Sequence, residues 1–134
     1  LSGDDFTQVP GGLPSIEGRL SFIYNAGVKP GKISLEKWVS ITSTRPARIF
    51  GLEKKGLLEP GYDADIVVFD PKMNREISSE NLHENVDWSP YEGLQVEGWP
   101  TTVISKGEVL ISEGEYLGKT GRGEFVQRKI SSIY

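Results

Sequence analysis

Apolar residues recur at helical spacing over the first third of the chain and at strand spacing after residue 60. Ile16, Leu20, Ile23 and Tyr24 fall on one face of a helix that Ser15 would cap and Gly27 would end. Gly18 inside that helix costs about 1 kcal/mol against alanine. Ser34 starts a second helix, with Leu35, Trp38, Val39 and Thr42 on one face. Thr44 would cap a third, short helix with Pro46 in its first turn, Ile49 and Phe50 facing inward and Gly51 closing it. The period then changes. Pro60-Gly61 has the signature of a type II turn. Asp65–Asp70 predicts a short buried strand ended by Pro71, with Arg75–Ile77 pairing with it. Residues 78–100 read mostly as loop. Thr101–Ser105 and Glu108–Ser112 read as strands, turned at Lys106-Gly107 and again at Glu113-Gly114. The tail from 118 reads as extended, either solvated or docked on a partner.

Helices first and antiparallel strands second point to an α+β arrangement, or to the adjoining ends of two domains. At 134 residues the length suits one domain, but three helices and a few strands around a long irregular stretch give a thin core. The chain opens on Leu1 in loop-like sequence, so it is expected to be a piece of something longer.

Charge and composition narrow the chemistry. The net charge is −4 with both signs interspersed, and no basic block tracks a phosphate backbone, so nucleic acid is not an expected partner. Cysteine is absent, which excludes disulfides, thiolate metal sites and a cysteine nucleophile, and fits a cytoplasmic protein. No apolar run reaches the ~20 residues of a membrane helix, and LSGDDFTQVPGG is not a signal peptide. No GxSxG elbow, Walker motif or dinucleotide fingerprint is present.

Three candidate sites remain. Asp63 and Asp65 would point to the same side of an extended segment and could share a cation. No third acid completes that site, and the residues favour a turn cap and the start of a strand. His83 is the single histidine, and one histidine cannot build a catalytic zinc site, so no catalytic residue and no metal ligand is assigned to this chain. It reads as a loop or interface histidine. The run 10-PGGLPSIEGR-19 is more informative: adjacent glycines let a ligand approach the main chain, and a helix start follows. A plain turn into a helix is the alternative.

Longer motifs add a resemblance. The segment 56-GLLEPGYDADIVVFDP-71 resembles the stretch that closes the chain in the amidohydrolase superfamily, and 40-SITSTRPARIFGL-52 resembles the helix before it. The segment 85-NVDWSPYEGLQVEGWPTTVISKGEVLISEGEYLGKTGRGEFVQRK-129 is similar to dihydropyrimidinases and hydantoinases in particular. The likeness runs from about Asp4 to Lys129. It implies a (β/α)8 metal-dependent hydrolase barrel joined to a small β-sandwich built from both chain ends. Residues 1–52 would be the last barrel helices and a substrate-side loop, 53–117 sandwich strands with their connecting loop, and 118–134 an extended tail.

The implied activity is hydrolysis of a cyclic amide of dihydropyrimidine or hydantoin type. The alternatives are an allantoinase or dihydroorotase relative, or a non-catalytic dihydropyrimidinase-related scaffold. The family's ligands for two divalent ions, zinc by resemblance, would all precede Leu1, on a missing N-terminal barrel portion. Only one functional element maps here. The family's PNGG loop corresponds to Pro10-Gly11-Gly12, so Gly11 and Gly12 would contact the substrate through their main chain. Leu13-Pro14-Ser15 departs from the usual hydantoinase run. The resemblance also implies a homo-tetramer, with 122-RGEFVQRK-129 reaching a neighbouring subunit.

Overall fold

The computed structural model describes residues 11–129. Helix α1 (Arg19–Ile23) begins three residues later than the apolar spacing predicts. Ser15 does not cap it. The Glu17 N–H that such a cap would engage donates instead to the Glu84 carboxylate, 3.1 Å away, and Gly18 takes the cap position with no side-chain bond. Gly18 is nevertheless required, because a Cβ there would overlap the Phe22 ring. The helix widens into a π turn (Tyr24–Val28) and runs past Gly27. It closes at Gly31, whose φ of 73° allows Lys32 N–H to reach the Gly27 carbonyl at 2.9 Å.

Helix α2 (Leu35–Val39) starts where expected, with the Ser34 hydroxyl accepting from Lys37 N–H at 3.2 Å. The predicted break before the third helix is absent. α2 passes through a second π turn (Ser40–Thr44) straight into α3 (Arg45–Ile49). Thr44 is helical and is not a cap; its hydroxyl donates to the Gly56 carbonyl at 2.8 Å. Pro46 cannot donate to the turn before it, and the widened turn accommodates that loss. Ile49 and Phe50 face outward, 59% and 55% exposed, which corrects their assignment to the core. The aromatic surface beneath the helices is already filled by Trp38, Tyr24 and Phe69. Gly51 closes α3 as expected, with φ 66° and Leu52 N–H on the Ala47 carbonyl at 2.8 Å.

Four strands follow in one antiparallel sheet, β1 (Ile66–Glu76), β2 (Gln95–Ser105), β3 (Glu108–Ser112) and β4 (Glu115–Tyr116), in the order β1-β2-β3-β4. The expected sequence of helices and then antiparallel strands is therefore observed. Two strands are longer than predicted. β1 does not stop at Pro71; the ladder slips between Asp70 and Asn74, and this irregularity absorbs the proline. Arg75 and Glu76 belong to the same strand and pair with Val96 and Gln95 of β2, in a stretch that reads as loop from sequence. β1 is also not a buried strand, since Val67 and Val68 are both exposed at this edge of the sheet. The turns at Lys106-Gly107 and Glu113-Gly114 fall where predicted, all four residues at positive φ.

The core sits between α1 and β2. Ile77, Val96 and Trp99 are 0–4% exposed, with Phe22 and Leu82 packed against them. Beside it, Trp38, Tyr24 and Phe69 meet with ring centroids 4.9–5.6 Å apart. Gly98 lies under this trio at φ 90°, where a Cβ would come within 2.7 Å of the Phe69 ring. Two side chains of the π turn and its cap bind Glu97 of β2: Lys29 pairs with its carboxylate, and Asn25 takes its backbone. Asn25 donates to the Glu97 carbonyl at 2.7 Å and accepts from the Glu97 N–H at 3.1 Å.

The tail docks on the chain itself. Arg122 reaches the Ser105 carbonyl at 2.7 Å and Glu108 at 3.2 Å. Lys129 N–H donates to the Gly51 carbonyl at 3.0 Å, and its ammonium lies 2.9 Å from Glu53. A Cβ on Gly51 would overlap the Lys129 carbonyl oxygen. Gly51→Ala is therefore expected to lower the melting temperature by more than Gly107→Ala. Both incur the left-handed backbone cost of about 1–2 kcal/mol, but only Gly51 adds a clash, since Gly107 has open space at its Cβ position. Thermal denaturation of the two variants measures the difference.

Candidate functional site

The glycine pair lies at the start of the described chain. Gly11 and Gly12 are exposed, and among the described residues nothing approaches within 4 Å of a Cβ built on either. Pro10, the first residue of that run, lies outside the described residues. Leu13-Pro14 carries the chain to the Ile16–Arg19 turn, where Arg19 N–H meets the Ile16 carbonyl at 3.2 Å. α1 starts seven residues beyond Gly12 and is only five residues long, so its N-terminus does not address the glycines.

Glu17 and His83 meet although 66 residues separate them. His83 N–H donates to Glu17 Oε2 at 2.6 Å, and His83 Nδ1 lies 2.8 Å from Glu17 Oε1. The second ring nitrogen is 3.1 Å from the Gly114 carbonyl in the turn between β3 and β4. His83 is thus a surface tie between three segments, with both ring nitrogens engaged. Nothing in the sequence singled out Glu17 as its partner.

Asp63 and Asp65 do share a cation, and it is Lys55. The ammonium sits 2.8 Å from Asp63 Oδ2 and 2.5 Å from Asp65 Oδ2. Asp65 Oδ1 also accepts from Lys106 N–H at 2.9 Å, which ties the start of β1 to the β2–β3 turn. The turn before it forms as predicted, with Gly61 at φ 93° and Tyr62 N–H on the Glu59 carbonyl at 3.1 Å. Burial disfavours the Asp65 carboxylate, but the bonds from Lys55 and Lys106 outweigh it and hold its pKa below the ordinary value. Burial likewise disfavours the Lys55 ammonium, yet its two acids lift its pKa. An open groove of about 300 Å³ beside this cluster is lined largely by Leu57, Leu58, Pro60, Tyr62, Ala64 and Ile66.

These residues do not fit a metal site. Among the described residues no three His, Asp or Glu side chains converge on a common point. His83 is occupied at both nitrogens, and the aspartate pair already holds the Lys55 ammonium between its carboxylates. No helix among them is long and apolar enough to cross a membrane.

Comparison with known proteins bears on the same residues. The family model described as the amidohydrolase family matches residues 12–110. The chain belongs to the amidohydrolase family. Within that family, a D-phenylhydantoinase of Escherichia coli O1:K1 is 44% identical over 130 residues, which is 96% of this chain and 28% of the relative. A D-hydantoinase crystal structure superposes with a TM-score of 0.88 at 44% identity, covering 93% of this amidohydrolase chain and 27% of that one. The dihydropyrimidinase of Brevibacillus agri gives 0.87 at 46% identity, over 92% and 27%. The chain therefore spans a little over a quarter of the length of the relatives it matches.

The ion cluster yields a signed prediction. A carboxyl whose folded pKa is depressed contributes stability above its ordinary titration range, and loses it as pH falls through that range. The stability advantage over Lys55→Met is accordingly expected to be full at neutral pH and to shrink as acid protonates Asp65. Urea unfolding at neutral pH and at pH values below the carboxylate range gives the two differences.

Proposed function

We propose that these residues form the C-terminal part of an enzyme that hydrolyses a cyclic amide ring of hydantoin or dihydropyrimidine type. The observation that carries this reading is identity of 44–46% over more than nine-tenths of the chain to proteins named D-phenylhydantoinase, D-hydantoinase and dihydropyrimidinase. In this reading residues 1–52 are the last helices of a (β/α)8 barrel with its substrate-side loop. Residues 53–117 then supply strands to a β-sandwich, and 118–134 form the tail. The family's metal dependence, two zinc ions by resemblance, would be met by residues outside this chain, and no step is assigned to the ions here.

What this chain supplies is a substrate lip. The main chain of Gly11 and Gly12 would offer N–H and C=O groups to the ring amide, whose own donor and acceptor they complement. Their open surroundings support this role, because a ligand could reach the backbone where a side chain would stand. The assembly proposed for the parent protein is a homo-tetramer, with the tail segment 122–129 at a subunit contact. The 89% exposure of Phe125 favours that placement.

Two measurements test the reading. The full-length protein is expected to open hydantoin or dihydrouracil and to lose that activity on treatment with a chelator; activity confined to allantoin or dihydroorotate, or none at all, would overturn it. Gly12→Val is expected to raise KM by about tenfold, roughly 1.4 kcal/mol of lost binding. Its melting temperature should stay unchanged, because no described atom obstructs the new side chain. An unaltered KM removes Gly12 from the substrate contact.

A further inference from the structure

We propose that Glu17 and His83 are the positioning pair that sets the Gly11–Gly12 main chain for substrate, an inference that rests on the glycine contact proposed above. Among the described residues, segment 11–16 makes no hydrogen bond to another element of the fold; its one bond is the local turn from Ile16 to Arg19. Gly11, Gly12, Leu13 and Ile16 are exposed. The first tie after the glycines is Glu17, and it is threefold. Its N–H donates to Glu84 Oε1 at 3.1 Å, and its carboxylate takes the His83 N–H at 2.6 Å and faces His83 Nδ1 at 2.8 Å. His83 in turn contacts the Gly114 carbonyl at 3.1 Å. A continuous chain of hydrogen bonds therefore runs from the segment that carries the glycines to the β3–β4 turn of the sheet.

The stretch between Gly12 and Glu17 is short and stiff enough to transmit that placement. Pro14 has a fixed φ, and Leu13 before it is restricted to extended conformations. Hydrogen bonds to a carboxylate are about twice as strong as neutral ones. Glu17 and His83 touch no substrate in this scheme; they act through the glycines.

The test uses the full-length protein with hydantoin and dihydrouracil as substrates, and compares Glu17→Ala with Glu17→Gln. The glutamine oxygen can still accept the His83 N–H, whereas alanine cannot. Glu17→Ala is expected to raise KM by about tenfold with a much smaller change in kcat, the pattern of lost substrate binding. Glu17→Gln should recover most of that loss. A spin label at Leu13→Cys, in a full-length protein with any cysteine outside these residues replaced, should become more mobile in Glu17→Ala and not in Glu17→Gln; Leu13 is exposed, and these 134 residues hold no cysteine. If Glu17→Ala fails to fold, Glu17→Gln decides, with a smaller rise in KM expected over the wild type. An unchanged KM in a protein that opens either ring overturns the proposal while leaving the functional reading intact, and so does unchanged label mobility. A wild type that opens neither ring overturns the functional reading and the substrate role of the pair together.

Discussion

The helices and the sheet meet at one amide, beside the Lys29–Glu97 ion pair and the packing of Tyr24 on Phe69. Asn25 stands in the π turn that follows α1 and uses both ends of its side chain on a single peptide unit, the N–H and C=O of Glu97. Glu97 lies in β2 where the ladder with β1 slips, between the pairs Asp70–Trp99 and Asn74–Glu97. A slipped ladder leaves backbone groups in need of partners, and a buried unpaired group costs about 1–3 kcal/mol. Asn25 meets that need and fixes the height of α1 above the strand. The next residue, Gly98, has no side chain, and the space admits Phe69 and Tyr24. Trp38 then completes the trio from the second helix. Helix pair, β1 and β2 all meet around this one irregular step.

The surroundings of the glycine lip follow from that junction. Once α1 is seated on β2, its leading turn lies beside the loop that connects β1 to β2. Glu17, two residues before α1, faces His83 and Glu84 there. The same loop approaches the β3–β4 turn, so His83 spans the gap between helix start and sheet. The Lys55 cluster does the equivalent at the other end of β1, holding the turn after the helices against the β2–β3 turn. These polar ties lie at the edges of a small apolar core, where packing alone fixes little.

Features governed by neighbouring residues were legible in the sequence. The Ser34 cap, the Gly51 close, the Pro60-Gly61 turn and the two Gly-containing hairpin turns each need only a few adjacent residues, and each forms as predicted. Ser15 and Thr44 looked equally good as caps, yet tertiary partners took over: Glu84 engages the N–H available to the first, and Gly56 engages the hydroxyl of the second. Pro71 reads as a stop because a regular ladder has no place for it, and a bulge removes that objection. The residues around Asp63 and Asp65 favour a turn cap and a strand start over a shared divalent cation, and the cation the two acids do share is the ammonium of Lys55, eight residues upstream of the first acid. Pairings such as Glu17 with His83, or Asn25 with Glu97, carry no local signature, since each partner is an ordinary polar residue until the chain is folded.

The span of the Asn25–Glu97 contact also orders the events of folding. The hairpins β2–β3 and β3–β4 close over a few residues, while the amide of Asn25 must wait for a strand 72 positions further along. Tyr24 and Trp38 reach their packing against Phe69 and beside Gly98 only when those strands are in place.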